Sequence, residues 1–231
     1  MKNVMCSRLF ACLLATGFMS GVDAAPMFGG VTFPQGAISF ADVVVDYSPA
    51  ISTSGQPTEP NRNSLSTVGV PDYVSGGACS LAADCTFASL GSGGSITLQF
   101  VDNKLTLGGD SGDDLWIFEV GPDVEDTFVE ISRDGDQWFD VGKVFGSTAG
   151  IDIDSFASTY SFVTTDEFAF VRLTDDPNEG DTSGASVGAD IDAVGAISTV
   201  FTPPPVGTVP APATLLLMLF GLVSLGWFRR G

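Results

Sequence analysis

The chain contains no histidine. That absence removes the Ser/His/Asp triad, the Cys/His dyad and any histidine-ligated zinc. Basic residues are scarce as well: 9 Lys and Arg stand against 28 Asp and Glu in 231 residues, for a net charge of −19. Between residues 26 and 202 only Arg62, Lys104, Arg133, Lys143 and Arg172 are basic. Without clustered cations there is nothing to neutralise a phosphate backbone, so nucleic acid is not an expected partner. Anionic lipid surfaces are disfavoured for the same reason. The composition suits an acidic exported domain that repels its neighbours or gathers divalent cations. Glycoside hydrolysis by paired carboxylates stays open, although with so many acids some pair always falls at a suitable spacing.

Cysteine is sparse, and two of the four belong to a segment expected to be removed. Lys2 and Arg8 flank the start, residues 9–19 are apolar, and Val22-Asp23-Ala24-Ala25 ends in small residues. This is the order of a secretory signal peptide over residues 1–25, its apolar part too short for the roughly 20 residues a span needs. Cleavage near Ala24 or Ala25 takes Cys6 and Cys12 away and leaves Cys79 and Cys85. In an oxidising compartment this Cys-x5-Cys pair reads as a disulfide staple, worth about 2.4 kcal/mol by loop entropy. A metal site there would want further Cys or His.

Long helical periods are missing from residues 26–202, the expected single domain. Short β-branched and aromatic runs alternate instead with Gly, Asp, Asn, Ser and Pro clusters. Residues 95–100 put Ile96, Leu98 and Phe100 on one face and Thr97 and Gln99 on the other. Residues 115–120 are apolar on both faces, as expected of a covered central strand. Val129 and Ile131 alternate with Glu130 and Ser132, and Ala169, Val171 and Leu173 with Phe170 and Arg172. Asp134-Gly135 is expected to supply the positive-φ residues of a tight hairpin, with Trp138 starting the return strand. A final strand over 190–197 is expected to place Ile191, Ala193 and Ile197 on one face and Asp192 with Val194 on the other. With residues 41–47 this makes at least seven strands, and hence an all-β, antiparallel two-sheet sandwich of jelly-roll type. Pro203-Pro204-Pro205 opens a stiff linker over 203–208. Beyond it, residues 215–228 form an apolar run of about 14 residues, roughly 21 Å as a helix, short for a permanent transmembrane helix. Arg229 and Arg230 would stay on the cytoplasmic side of the inner membrane.

Oxygen ligands gather at Asp102, Asn103, Asp110, Asp113 and Asp114, and again at Asp175, Asp176, Asn178, Glu179, Asp181, Asp190 and Asp192. Such loops can supply the six to eight oxygens of calcium, the one cofactor the sequence suggests. Trp116 and Trp138 are expected in the core, which leaves Tyr47, Tyr73 and Phe87 as candidates for the rim of a sugar site.

Two resemblances follow. Val209-Pro210-Ala211-Pro212, the apolar run and Arg229-Arg230 resemble the PEP-CTERM sorting signal of exosortase substrates over residues 209–231, with Ala211 in place of the name-giving glutamate. The resemblance implies export, a transient membrane anchor, an exosortase-type processing enzyme as partner, and a destination at the cell surface or in the extracellular matrix, associated with exopolysaccharide and biofilm. The body, through residues 129–138 and Phe170-Val171-Arg172-Leu173, is similar to the discoidin-like, galactose-binding-like β-sandwich. That implies a fold in which structural calcium and carbohydrate binding at one rim are common. Three functions are left open: a non-catalytic surface protein that recognises polysaccharide, a carbohydrate-active enzyme with paired carboxylates, and a structural coat protein. The first is the expected one.

Overall fold

A computed structural model describes residues 24–75, 79–121, 125–180 and 183–198. The signal segment, the linker 203–208 and the sorting segment with Val209, Pro210, Ala211, Pro212, Arg229 and Arg230 lie outside the described residues, as does Asp181. No helix among the described residues is long and apolar enough to cross a membrane.

The alternating segments form strands. A short hairpin, β1 (Met27–Phe28) and β2 (Val31–Thr32), precedes β3 (Val43–Ser48), β4 (Ala88–Ser89), β5 (Ser95–Gln99) and β6 (Leu115–Glu119). Then come β7 (Thr127–Ser132), β8 (Trp138–Val144), β9 (Thr148–Ile151), a single helical turn α1 (Ala157–Tyr160), β10 (Phe170–Asp175) and β11 (Asp190–Ala196). They build a five-stranded sheet in the order β3-β5-β10-β7-β8 and a four-stranded sheet in the order β4-β11-β6-β9, antiparallel throughout. The main core draws on both sheets: Ile96, Leu98, Val129, Ile131, Val171 and Leu173 from one, Leu115, Ile117, Ile191 and Val194 from the other. Fully burying each such side chain contributes about 1.5 to 3 kcal/mol.

β6 is covered on both sides, as its pattern predicts. Leu115 and Ile117 enter the main core, while Phe118 and Trp116 belong to a second cluster with Phe28, Phe33 and Phe40 on the opposite face. Gly195 makes that second layer possible: a Cβ there would lie 2.7 Å from Phe33 Cε1 and 2.9 Å from Phe40 Cε1.

The structure departs from the expected pattern in four places. The β7–β8 connection is a five-residue loop, because Ser132 pairs with Trp138. Gly135 alone takes a positive φ, 84°, and Asp134 Oδ1 closes the loop by accepting the Asp136 and Gln137 N–H groups at 2.9 and 3.0 Å. Thr97 is outward but buried, flanked in register by Asp46 and Arg172. Trp116 and Trp138 lie outside the main core, since Ile117 and Phe139 take the inward positions of their strands. In β11 a bulge between Ile191 and Ala193 breaks the alternation: Ile191 and Val194 share the main core, and Ala193 and Ile197 join the second cluster.

Candidate functional site

The bulge in β11 positions the most distinctive side chain of the fold. An extra residue between paired neighbours bends the strand and re-aims what it carries; here the extra residue is Asp192. Asp192 is only 4% exposed. Its two oxygens accept the backbone N–H groups of Asp72 at 3.2 Å and Tyr73 at 3.3 Å. Burial pushes the carboxyl up to about 6, against the pull of those two N–H groups and with help from the charge of Asp72. At neutral pH it is therefore ionised, desolvated and held by two long hydrogen bonds.

Asp192 lines a cavity of about 340 Å³ together with Tyr73, Phe118, Ser147, Thr148 and Gly29. The cavity sits where the second apolar cluster meets the β6–β9 edge, between the segment around residue 73 and the start of β9. Gly29 (φ 54°) lies so close to Phe118 that a Cβ would be 2.6 Å from its ring, which lets the β1–β2 hairpin close over the sheet. Tyr73 is braced edge-on by Phe87, ring centroids 6.0 Å apart. Phe87 in turn follows Cys85, which is bonded to Cys79. Asn63 Nδ2 donates to Ala82 O at 2.9 Å and fixes the stapled loop from behind. The disulfide expected from spacing thus supports one wall of the cavity. Tyr47 plays a different part, with its hydroxyl donating to Ser89 O at 2.6 Å.

Glu119 also borders the cavity, but its carboxyl is withdrawn into the protein. Glu119 is 3% exposed, and Oε2 is buried with no hydrogen-bond partner. Burial, and then the neighbouring Glu125, raise its pKa well above the usual carboxylate range. Asp190, which accepts the Ser89 hydroxyl, is pushed up by burial to about 7. Together they form a buried acid layer behind the pocket.

The remaining oxygen-rich residues separate into distinct places. Asp102 lies beside Asp42, whose Oδ2 accepts the N–H groups of Val101 and Asp102, and Asn103 is fully buried with neither amide atom hydrogen-bonded. Asp110 Oδ1 accepts the Gly112 N–H at 2.7 Å, and Asp113 packs against Gly150. Asp175 stitches two loops together by accepting Gly93 N–H at 2.8 Å and Ala189 N–H at 2.7 Å. Asp176 and Asp126 hold the Lys143 ammonium, so the group Asp126, Asp176 and Glu179 already contains a cation. Asn178 donates to Asp176 rather than facing outward as a ligand.

Among the described residues, only Asp114 of the expected ligands joins a carboxylate group that holds no lysine. Its partners are Asp152 and Asp154, all three offering oxygens within 4.8 Å of one another. The antiparallel β6–β9 pairing puts Leu115 opposite Ile151, which draws Asp114 and Asp152 together across 38 residues of chain. Asp114 is 2% exposed and pushed up by burial to about 6, although Ser198 Oγ and the Ile153 N–H both donate to it. Asp152 Oδ1 is buried without a hydrogen-bond partner, and Asp154 Oδ2 accepts the Gly109 N–H at 2.8 Å. Three carboxylates and a nearby serine hydroxyl are hard oxygen donors of the kind that suit calcium. The alternating Asp152-Ile153-Asp154 run was the sequence signal for this group, but nothing local ties it to Asp114.

The outer face of the five-stranded sheet offers a second aromatic surface, and it is occupied. Arg172 lies 4.3 Å over the Trp138 ring and pairs with Glu130 at 2.6 Å, so the indole is not a bare platform. Compared with known proteins, the chain matches no protein-family model and no curated protein.

Proposed function

We propose that the chain is an exported cell-surface or matrix protein whose sandwich, jelly-roll and galactose-binding-like in type, binds carbohydrate without catalysis. The signal segment 1–25 delivers it, and the PEP-CTERM-like segment 209–231, handled by an exosortase-type enzyme, anchors it and then releases it into an exopolysaccharide or biofilm setting. The observation that supports binding is the cavity of about 340 Å³ lined by the aromatic residues Tyr73 and Phe118 together with Asp192, Ser147 and Thr148. Apolar walls with a few convergent polar groups are the general form of small-ligand sites. Glycoside hydrolysis is less well supported, because it needs two carboxyls facing the sugar and Glu119 Oε2 is buried. A glycan array probed with the purified protein tests the reading: retention on a defined polysaccharide, lost in Tyr73→Ala, is expected. Silence across the array, with self-association seen by light scattering, points to a coat protein instead.

Calcium at Asp114, Asp152 and Asp154 is the cofactor part of this reading. A bound ion would tie the loop after Leu107 to the end of β9 and stabilise the fold by about 2.7 kcal/mol at 100 times its Kd. Millimolar calcium is therefore expected to raise the melting temperature by about 5 to 10 °C, and Asp152→Asn to abolish the rise. The absence of both heat on titration and a melting shift would remove calcium from the account.

A further inference from the structure

We propose that the cavity takes a sugar carrying a free amino group, with the ammonium against Asp192 and the pyranose ring against Tyr73. This inference rests on the carbohydrate reading above and names the ligand class. Its basis is the state of Asp192. The residue is 4% exposed, and its two hydrogen bonds, at 3.2 and 3.3 Å, are longer than the roughly 2.7 to 2.9 Å of strong charge-assisted bonds. Among the described residues no Lys or Arg lines the cavity, and the charged neighbour acting on Asp192 is another acid, Asp72. A buried carboxylate without a counter-ion is costly, so a ligand that brings a positive charge recovers more than one that brings only hydroxyls. A uronate, sulfated or phosphorylated sugar meets like charge from Asp192 and Asp72, and from a chain of net charge −19. The volume, about 340 Å³, is at the small end for ligand sites and suits one or two rings. Tyr73 and Phe118 supply apolar surface for the C–H face of a ring, and Ser147 and Thr148 can exchange hydrogen bonds with its hydroxyls.

The test uses the full chain, purified in detergent, titrated separately with glucosamine, N-acetylglucosamine, glucose and glucuronate at neutral pH and followed by saturation-transfer NMR. Glucosamine is expected to bind about 10-fold more tightly than glucose, the scale of one charge-assisted hydrogen bond, and N-acetylglucosamine to lose that advantage. Acetylation removes the charge without touching the protein, so this arm does not depend on any variant folding. Asp192→Asn, checked for an intact melting transition, is expected to equalise glucosamine and glucose, and Tyr73→Ala to weaken both. Equal affinity for the two sugars, both lost in Tyr73→Ala, overturns the amino-sugar assignment and leaves carbohydrate binding standing. Preference for glucuronate overturns it as well. No binding of any of the four overturns this inference and the carbohydrate reading together.

Discussion

Replacing Phe168 by alanine is expected to lower the stability of the sandwich by about 4 kcal/mol in urea denaturation. Phe168 is fully buried, and its backbone pairs with Leu105 across an isolated bridge. Its ring meets Phe162 at 4.9 Å and Phe139 at 6.2 Å between centroids, and the Arg133 guanidinium at 4.9 Å. Arg133 is placed by all three rings together with its ion pair to Asp166 at 2.8 Å. Removing the ring deletes the transfer contribution, leaves a cavity among rigid neighbours, and strips a half-buried cation of one aromatic face. A single domain has only about 5 to 15 kcal/mol in total, so the variant sits near the edge of folding. Val45→Ala, at a position 51% exposed on the edge strand β3, is the control and is expected to change stability by less than about 0.5 kcal/mol. Comparable losses at both positions would contradict the assignment of the core.

The melting temperature is expected to be about 10 °C higher near pH 5 than near pH 8. Asp114 and Asp192 are pushed up by burial to about 6 and Asp190 to about 7, and Glu119 is raised further in direction. Each raised carboxyl holds its proton more tightly in the folded chain than in the unfolded one, whose carboxylates titrate near 4. Its contribution is complete below that unfolded value and is lost as pH rises through the folded one. Ionising a carboxyl whose pKa has risen from about 4 to about 6 weakens the fold by about 2 to 3 kcal/mol, and the effects of three such groups accumulate between about pH 4 and pH 7. Repulsion in a chain of net charge −19 acts in the same direction. Asp134, Asp166 and Asp176 are lowered and work the opposite way, losing their contribution below the usual carboxylate range, so stability peaks in weak acid. Asp190→Asn is expected to flatten the profile. A melting temperature that climbs steadily from pH 5 to pH 8 would contradict the buried, raised carboxyls.

The strands were legible because their alternation is local. Ile96, Leu98 and Phe100, or Val129 and Ile131, announce a buried face from a few residues each, and the structure buries them. The pocket was not legible, because it depends on a register. One bulge at Asp192 reverses the faces of Ala193 and Val194, and a period-2 reading carries no signal for an inserted residue. Pairing between strands distant in sequence hid the carboxylate group for the same reason: Asp114 meets Asp152 only because β6 and β9 are neighbours in one sheet. Tyr73 was visible as a rim candidate from its loop-rich surroundings. Trp138 shows the converse, since its place just after the turn suggested the core while Phe139, one residue on, takes the inward place.

Carbohydrate binding between Tyr73 and Asp192 is tested most directly by amide chemical-shift mapping of the labelled protein with the oligosaccharide that the array selects. Shifts concentrated at Gly29, Tyr73, Thr148 and Asp192 are the predicted result. Shifts at Trp138, Phe170 and Arg172 on the outer face of the five-stranded sheet, with the cavity residues unmoved, would contradict it.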